Sequence, residues 1–253
     1  MYRIQEAITK LLFLFALLTA IGSGVYLIFL YSGSGTSEPD YDYIEIQNMV
    51  AEPSEPPSEE LGPQPPTYDA EQLRSINDDF IGWLQIPDTT INYPVVQGTN
   101  NSYYLNHSFQ KEYSRFGCPF LEFDTPADAR SRVIHGHNMG VGREEMFSPL
   151  INYQDQTFAE DHQTLFFSEP NRAGEERYTL FAVLNLNIHD DFNYRQQVFS
   201  DEESFHDFID FLKDNSIYTC DFMPTGNILI LSTCNRVYGK DNRLLICVGQ
   251  DHT

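Results

Sequence analysis

Between Cys118 and Gly249 the sequence returns repeatedly to one kind of segment, a short run of β-branched, aromatic and other apolar residues closed off by Gly, Pro, Asn or Asp: CPFLEFD, RSRVIHGHN, ERYTLFAVLNLNI, NILILSTC and RLLICVG. Runs of this make-up between such punctuation read as strands. GWLQIPDTTINYPVVQG adds two more around a Pro-Asp turn. Many short strands must bury sheet against sheet, as a barrel or a sandwich, and no internal repeat points to a propeller. The predicted fold class is therefore mostly β. Two segments depart from it. TYDAEQLRSIN reads as a short helix ahead of the first strand. In SDEESFHDFIDFLKDNS, Ser200 is placed to cap a helix with Glu203 three residues on, and Phe205, Phe208, Ile209 and Leu212 fall at i, i+3, i+4 and i+7. This one-sided helix joins the LFAVLNL strand to the NILILSTC strand, and packing is its default role.

The first 66 residues follow other rules. Leu11–Tyr31 is a run of 21 residues without a charge, which as a helix covers roughly the 30 Å of a bilayer's hydrocarbon core. Arg3 and Lys10 precede it and the next basic residue is Arg74, so the charge asymmetry puts the N-terminus in the cytoplasm and the remainder outside. A cleaved signal peptide is the alternative, but its apolar region is shorter and ends in small residues, whereas here apolarity continues through VYLIFLY. The expectation is an uncleaved single-pass anchor over residues 1–31. Residues 32–66 hold eight acidic residues, no basic one and half of the chain's 14 prolines. Such a stretch cannot bury enough apolar surface to offset its ordering entropy, and it reads as a disordered, extended stalk. A globular domain is expected over residues 67–253.

The whole chain carries −22, of which residues 1–31 contribute +1 and residues 32–66 −8, so −15 falls on residues 67–253. An acidic domain lacks the basic stripe that nucleic-acid binding requires. The four cysteines, Cys118, Cys220, Cys234 and Cys247, show neither C-x-x-C spacing nor the density of a disulfide scaffold. Three of them read as small buried hydrophobes. Cys234 differs, because it closes a β-branched run just after Ser232 and Thr233, where the strand gives way to a polar loop.

A cysteine nucleophile needs a basic or cationic partner, since a free thiol with a pKa of about 8.5 is mostly protonated at neutral pH. Among seven histidines, His135 and His137 in VIHGHNMG stand out because they follow a strand and sit where the chain turns among glycines. An H-x-H pair on one strand face can also bind metal, but no third ligand of suitable spacing lies nearby. If NILILSTC and RLLICVG are neighbouring strands, Arg243 shares a sheet end with Cys234 and could stabilise an oxyanion. Arg236 and Lys240 compete for that role from the intervening loop.

LSTC followed nine residues later by Arg243, with GHN about a hundred residues upstream, resembles the sortases, the cell-wall transpeptidases of Gram-positive bacteria. DDFIGWLQIPDTTINYPVVQGTNNSYYLNHSF and the helix before the cysteine strand resemble class B in particular. The resemblance implies a closed eight-stranded barrel with an N-terminal helix and a helix between the sixth and seventh strands. It implies catalytic Cys234, His137 and Arg243, substrate contacts from Asn101, Leu105, Ser232, Thr233 and Tyr194, and neither metal nor organic cofactor. His135 stands where the family usually has tyrosine, and Asn235 where an acidic residue is common. The implied partners are secreted proteins with an NPxT-like C-terminal sorting signal, an amine acceptor on peptidoglycan or a pilin lysine, and the membrane through the N-terminal helix. A stalked, non-catalytic binding module is the alternative from another class. A transpeptidase of the L,D type is disfavoured by the absence of histidine beside the nucleophile.

Overall fold

The computed structural model describes residues 46–47, 50–51, 63–170, 176–235, 239 and 241–251. The expected span Leu11–Tyr31 lies outside them, as do Arg236 and Lys240. No described helix is long and apolar enough to cross a membrane.

Eight strands close into a barrel. In chain order they are β3 (Phe80–Gln85), β4 (Asn92–Val96), β5 (Phe120–Leu121), β6 (Ser131–His135), β7 (Thr164–Ser168), β8 (Arg177–Asn187), β9 (Ile228–Cys234) and β10 (Asn242–Gly249). Around the barrel they run β10-β8-β7-β3-β4-β5-β6-β9 and back to β10. The β4–β5 and β6–β9 pairs are parallel and the others antiparallel. Helix α1 (Ala70–Ile76) precedes the barrel, α2 (Gln156–Asp161) leads into β7, and α3 (Glu202–Asp214) lies between the sixth and seventh barrel strands. This is the architecture the resemblance implies.

The continuous apolar character of β9 has a simple origin, because both of its faces are covered. Leu229 and Leu231 point into the barrel with Leu84, Val95, Ile134, Leu244 and Ile246. Ile228 and Ile230 point the other way, onto a cluster with Phe205, Phe208, Ile209 and Leu212 of α3. The side-chain period of two divides the strand between two cores. Each of those helix residues is buried, worth about 1.5–3 kcal/mol apiece by area, so α3 is held by its face rather than by propensity. Its cap is one residue later than expected: Asp201, not Ser200, accepts from the Ser204 N–H, and the Ser204 side chain completes the box in place of Glu203. Strand β7 was not among the expected strands. Its five residues follow α2 almost at once and four are buried without alternation, so periodicity offers nothing to detect.

A third cluster gathers Leu73 of α1 with Phe80, Trp83, Tyr104 and Phe109, and Ile46 joins it. Gln47 donates to the Asn92 carbonyl oxygen at 2.8 Å, and a two-residue strand β1 (Val50–Ala51) pairs with β2 (Thr67–Tyr68). These residues belong to the segment expected as stalk, and they touch the domain.

Candidate active site

Cys234 ends β9 and Arg243 is the second residue of β10, and the two are direct partners in the antiparallel ladder. Opposed residues have Cβ atoms about 5 Å apart, so thiol and guanidinium rise from adjacent stems. His137 reaches the same place through the parallel pair. The β6–β9 ladder ends at His135 opposite Ser232, and the turn beyond it is latched to β9 three times. The Gly136 N–H donates to the Ser232 carbonyl oxygen at 3.2 Å, the Thr233 hydroxyl donates to the Gly136 carbonyl oxygen at 2.8 Å, and Asn138 Nδ2 donates to the Cys234 carbonyl oxygen at 3.0 Å. Gly136 suits this turn because a Cβ there would stand 2.5 Å from the Phe147 ring packed against it.

The His137 ring is fixed from the opposite wall, where Nε2 donates to the Leu105 carbonyl oxygen at 2.7 Å. That leaves Nδ1 to exchange a proton. Leu105 closes a single 3-10 turn, Tyr103–Leu105. Gly117, with φ of +67°, passes so near that a Cβ on it would lie 2.4 Å from the Tyr104 carbonyl oxygen. Backbone of this kind needs glycine.

Cys234, His137 and Arg243 line one cleft of about 640 Å³. Asn101, Leu105, Tyr194, Ser232 and Thr233 line it too, so the structure brings together every residue expected at the site. They are not used alike. Leu105 is 40% exposed and offers open apolar surface. Ser232 and Thr233 are buried; the Ser232 hydroxyl lies 3.4 Å from that of Tyr194, and Thr233 holds the histidine turn. Asn101 is turned onto its own chain, donating to the Glu122 carboxylate and accepting from the Phe123 N–H. Asn235 is fully buried, and its Nδ2 donates to Asn185 Oδ1 at 2.6 Å and Gln154 Oε1 at 3.3 Å.

The two histidines of H-x-H go to different partners, His137 to Leu105 and His135 to Glu122, whose Oε2 accepts from His135 Nε2 at 2.7 Å. Burial pushes the Glu122 carboxyl up, but the hydrogen bond and charge of His135, the charge of Arg195 and the Asn101 amide outweigh it and hold the group below the ordinary carboxylate range. Sequence reasoning missed Glu122, Asn138 and Arg195. The G-H-N run was the one available signal for Asn138. Nothing local marks Glu122, because its partners are 13, 21 and 73 residues away.

A thiol, an imidazole and a guanidinium at one mouth of a cleft suit acyl transfer through a thioester. Comparison with known proteins agrees. The chain is 31% identical to sortase B of Staphylococcus aureus over 184 residues, which is 71% of this chain and 73% of that one. It is 33% identical to sortase B of Listeria monocytogenes over 182 residues, 70% and 72% of the two chains. The chain belongs to the class B sortase family. A solved Staphylococcus aureus sortase B–substrate complex superposes on this sortase with a TM-score of 0.63 at 30% identity, covering 70% of this chain and 82% of the other. No family model matches the sequence. As a class B sortase the protein is a cysteine transpeptidase built on the closed eight-stranded barrel of that family.

Proposed function

We propose that this sortase cleaves an NPxT-like C-terminal sorting signal after its threonine and joins the new carboxyl end to an amine. The Cys234 thiolate attacks the threonine carbonyl carbon, the C–S bond forms, and the scissile C–N bond breaks as His137 passes a proton from Nδ1 to the leaving nitrogen. In the second half the acceptor amine attacks the thioester, loses its proton to His137 and releases the thiolate. Arg243 donates to the oxyanion in both halves. The Leu105 carbonyl accepts from His137 Nε2 in either charge state, so the ring keeps one orientation while its other nitrogen cycles.

The observation that carries this reading is the pairing of Arg243 with Cys234 across the ladder, beside a histidine turn tied to the same strand. The complex of the Staphylococcus aureus neighbour with substrate supports peptide binding in the corresponding cleft. Leu105, Tyr194, Ser232, Thr233 and Asn101 would form its walls. The acceptor is a peptidoglycan cross-bridge amine, with a pilin lysine as the second reading on the nine-residue spacing between Cys234 and Arg243. Residues 1–31 anchor the enzyme in the membrane with the N-terminus inside, residues 32–66 connect that anchor to the domain and touch it at Ile46 and Gln47, and residues 67–253 work outside the cell. There, substrates held by their own apolar tails present their signals close to the bilayer.

The test is to incubate the enzyme with a library of sorting-signal peptides, with and without cross-bridge peptides or lysine-bearing pilin segments, and to read products by mass spectrometry. Transfer to the cross-bridge amine after a threonine is expected, and His137→Ala should lose about 10² to 10⁴ in turnover, far more than His135→Ala. Cleavage elsewhere, or equal losses at the two histidines, would sink the assignment.

A further inference from the structure

Glu122 follows β5 beside the cleft and is only 4% exposed. Its side chain is where three walls of the cleft meet. Oε2 accepts from His135, at the end of β6. Oε1 accepts from Asn101 Nδ2, just ahead of the 3-10 turn that offers its carbonyl to His137, and lies 3.5 Å from Arg195 Nη1. Arg195 comes from the connection between β8 and α3. That connection is pinned at one point by Phe192, stacked on Phe211 at 3.7 Å, and at another by Tyr194 against Ser232. Gln97 fixes the backbone on the other side, donating to the carbonyl oxygens of Glu122 at 3.1 Å and Thr125 at 3.2 Å.

A carboxylate at this depth is costly unless it is paired and hydrogen-bonded. Here three donors on three separate elements satisfy it, and one of them, the Arg195 guanidinium, is half exposed at the rim. His135 lines the cleft. With Nε2–H committed to Glu122, Nδ1 is the ring nitrogen left for a further hydrogen bond.

We infer that Glu122 is a positioning residue for substrate recognition, which ties Asn101, His135 and Arg195 into one groove of fixed width and holds the His135 ring so that its Nδ1 hydrogen-bonds the bound peptide. The inference rests on the reading of this cleft as the sorting-signal groove. It gives the His135 position, where the family usually has tyrosine, a role that is separate from proton transfer to the leaving group. Glu122 lies behind Asn101, His135 and Arg195 and does not itself line the cleft, so its loss acts on binding and leaves the chemical step in place.

The experiment measures kcat and KM for a sorting-signal peptide, and the rate of Cys234 alkylation by iodoacetamide, in the wild type, Glu122→Gln, Arg195→Gln, Arg195→Lys and His135→Phe. Glu122→Gln is expected to raise KM at least about tenfold with kcat within about threefold, the pattern of lost uniform binding. Arg195→Gln, at an exposed site where folding is not at stake, should raise KM about threefold or more, with Arg195→Lys recovering most of it. His135→Phe should raise KM in the same sense, and alkylation should keep its wild-type rate in all four variants. Unchanged KM in Glu122→Gln and Arg195→Gln would overturn the inference while the wild type still turns over. So would equal falls in kcat and kcat/KM with slowed alkylation, which would place Glu122 in the chemistry. A wild type that forms no acyl-enzyme at all would remove the reading of the cleft itself, and the inference with it.

Discussion

Arg243 stands opposite Cys234, and its worth is decided by the difference between a planar fork and a point charge. An arginine that only solvates a strand end tolerates lysine within about 0.5 kcal/mol, whereas one that donates to an oxyanion does not, because ammonium cannot reproduce the fork geometry. Arg243→Lys should therefore keep its thermal midpoint and lose roughly a hundredfold in kcat/KM; near-wild-type turnover would leave the oxyanion to backbone N–H groups. Asn235 shows how one residue can be legible as a departure and opaque in its reason. The sequence marks it as an amide where the family often has an acid, and only the fold shows that it is buried against Asn185 and Gln154. Asn235→Asp would set a buried carboxylate against the amide oxygens of Asn185 and Gln154. A loss of about 3 kcal/mol or more is expected in urea denaturation, and an unchanged midpoint would contradict that reading of the site.

Among the elements, the ones the sequence revealed carry a local pattern, a helical stripe or a long β-branched run. The α3 stripe at Phe205, Phe208, Ile209 and Leu212 is buried as the spacing predicts, and the cysteine and arginine strands are neighbours in a register that makes Cys234 and Arg243 partners. Strand β7 is buried without alternation and the Tyr103–Leu105 turn is too short to show a period, and the Glu122 cluster draws on residues from four separate stretches of chain. Such meetings are products of barrel closure and leave no local trace. The shifted cap on α3 is a smaller case, since Ser200 and Asp201 are both good cap residues and the backbone chooses between them. Asp201→Ala is expected to cost about 1 kcal/mol and Ser200→Ala less than half as much, read as midpoint shifts in urea. The reverse order would return the cap to Ser200.

At the scale of the whole molecule, the chain divides into an apolar run, an acidic proline-rich stretch and a barrel whose cleft gathers the proposed catalytic groups. The boundary between stretch and barrel is where packing adds to what composition says. Residues 67–253 alone should fold and cleave peptide in solution. A fragment starting at Asp42 should be more stable by about 2 kcal/mol, because Ile46 is buried in the α1 cluster. Equal stability of the two fragments would mean that this contact contributes nothing. All of this serves one reaction, which is tested most directly by intact-mass and peptide-mapping mass spectrometry of the full chain quenched during turnover of a sorting-signal peptide. The predicted result is a single acyl adduct on Cys234, discharged by an amine acceptor and absent in Cys234→Ala. An adduct on Cys118, Cys220 or Cys247, or turnover that survives in Cys234→Ala, would contradict it.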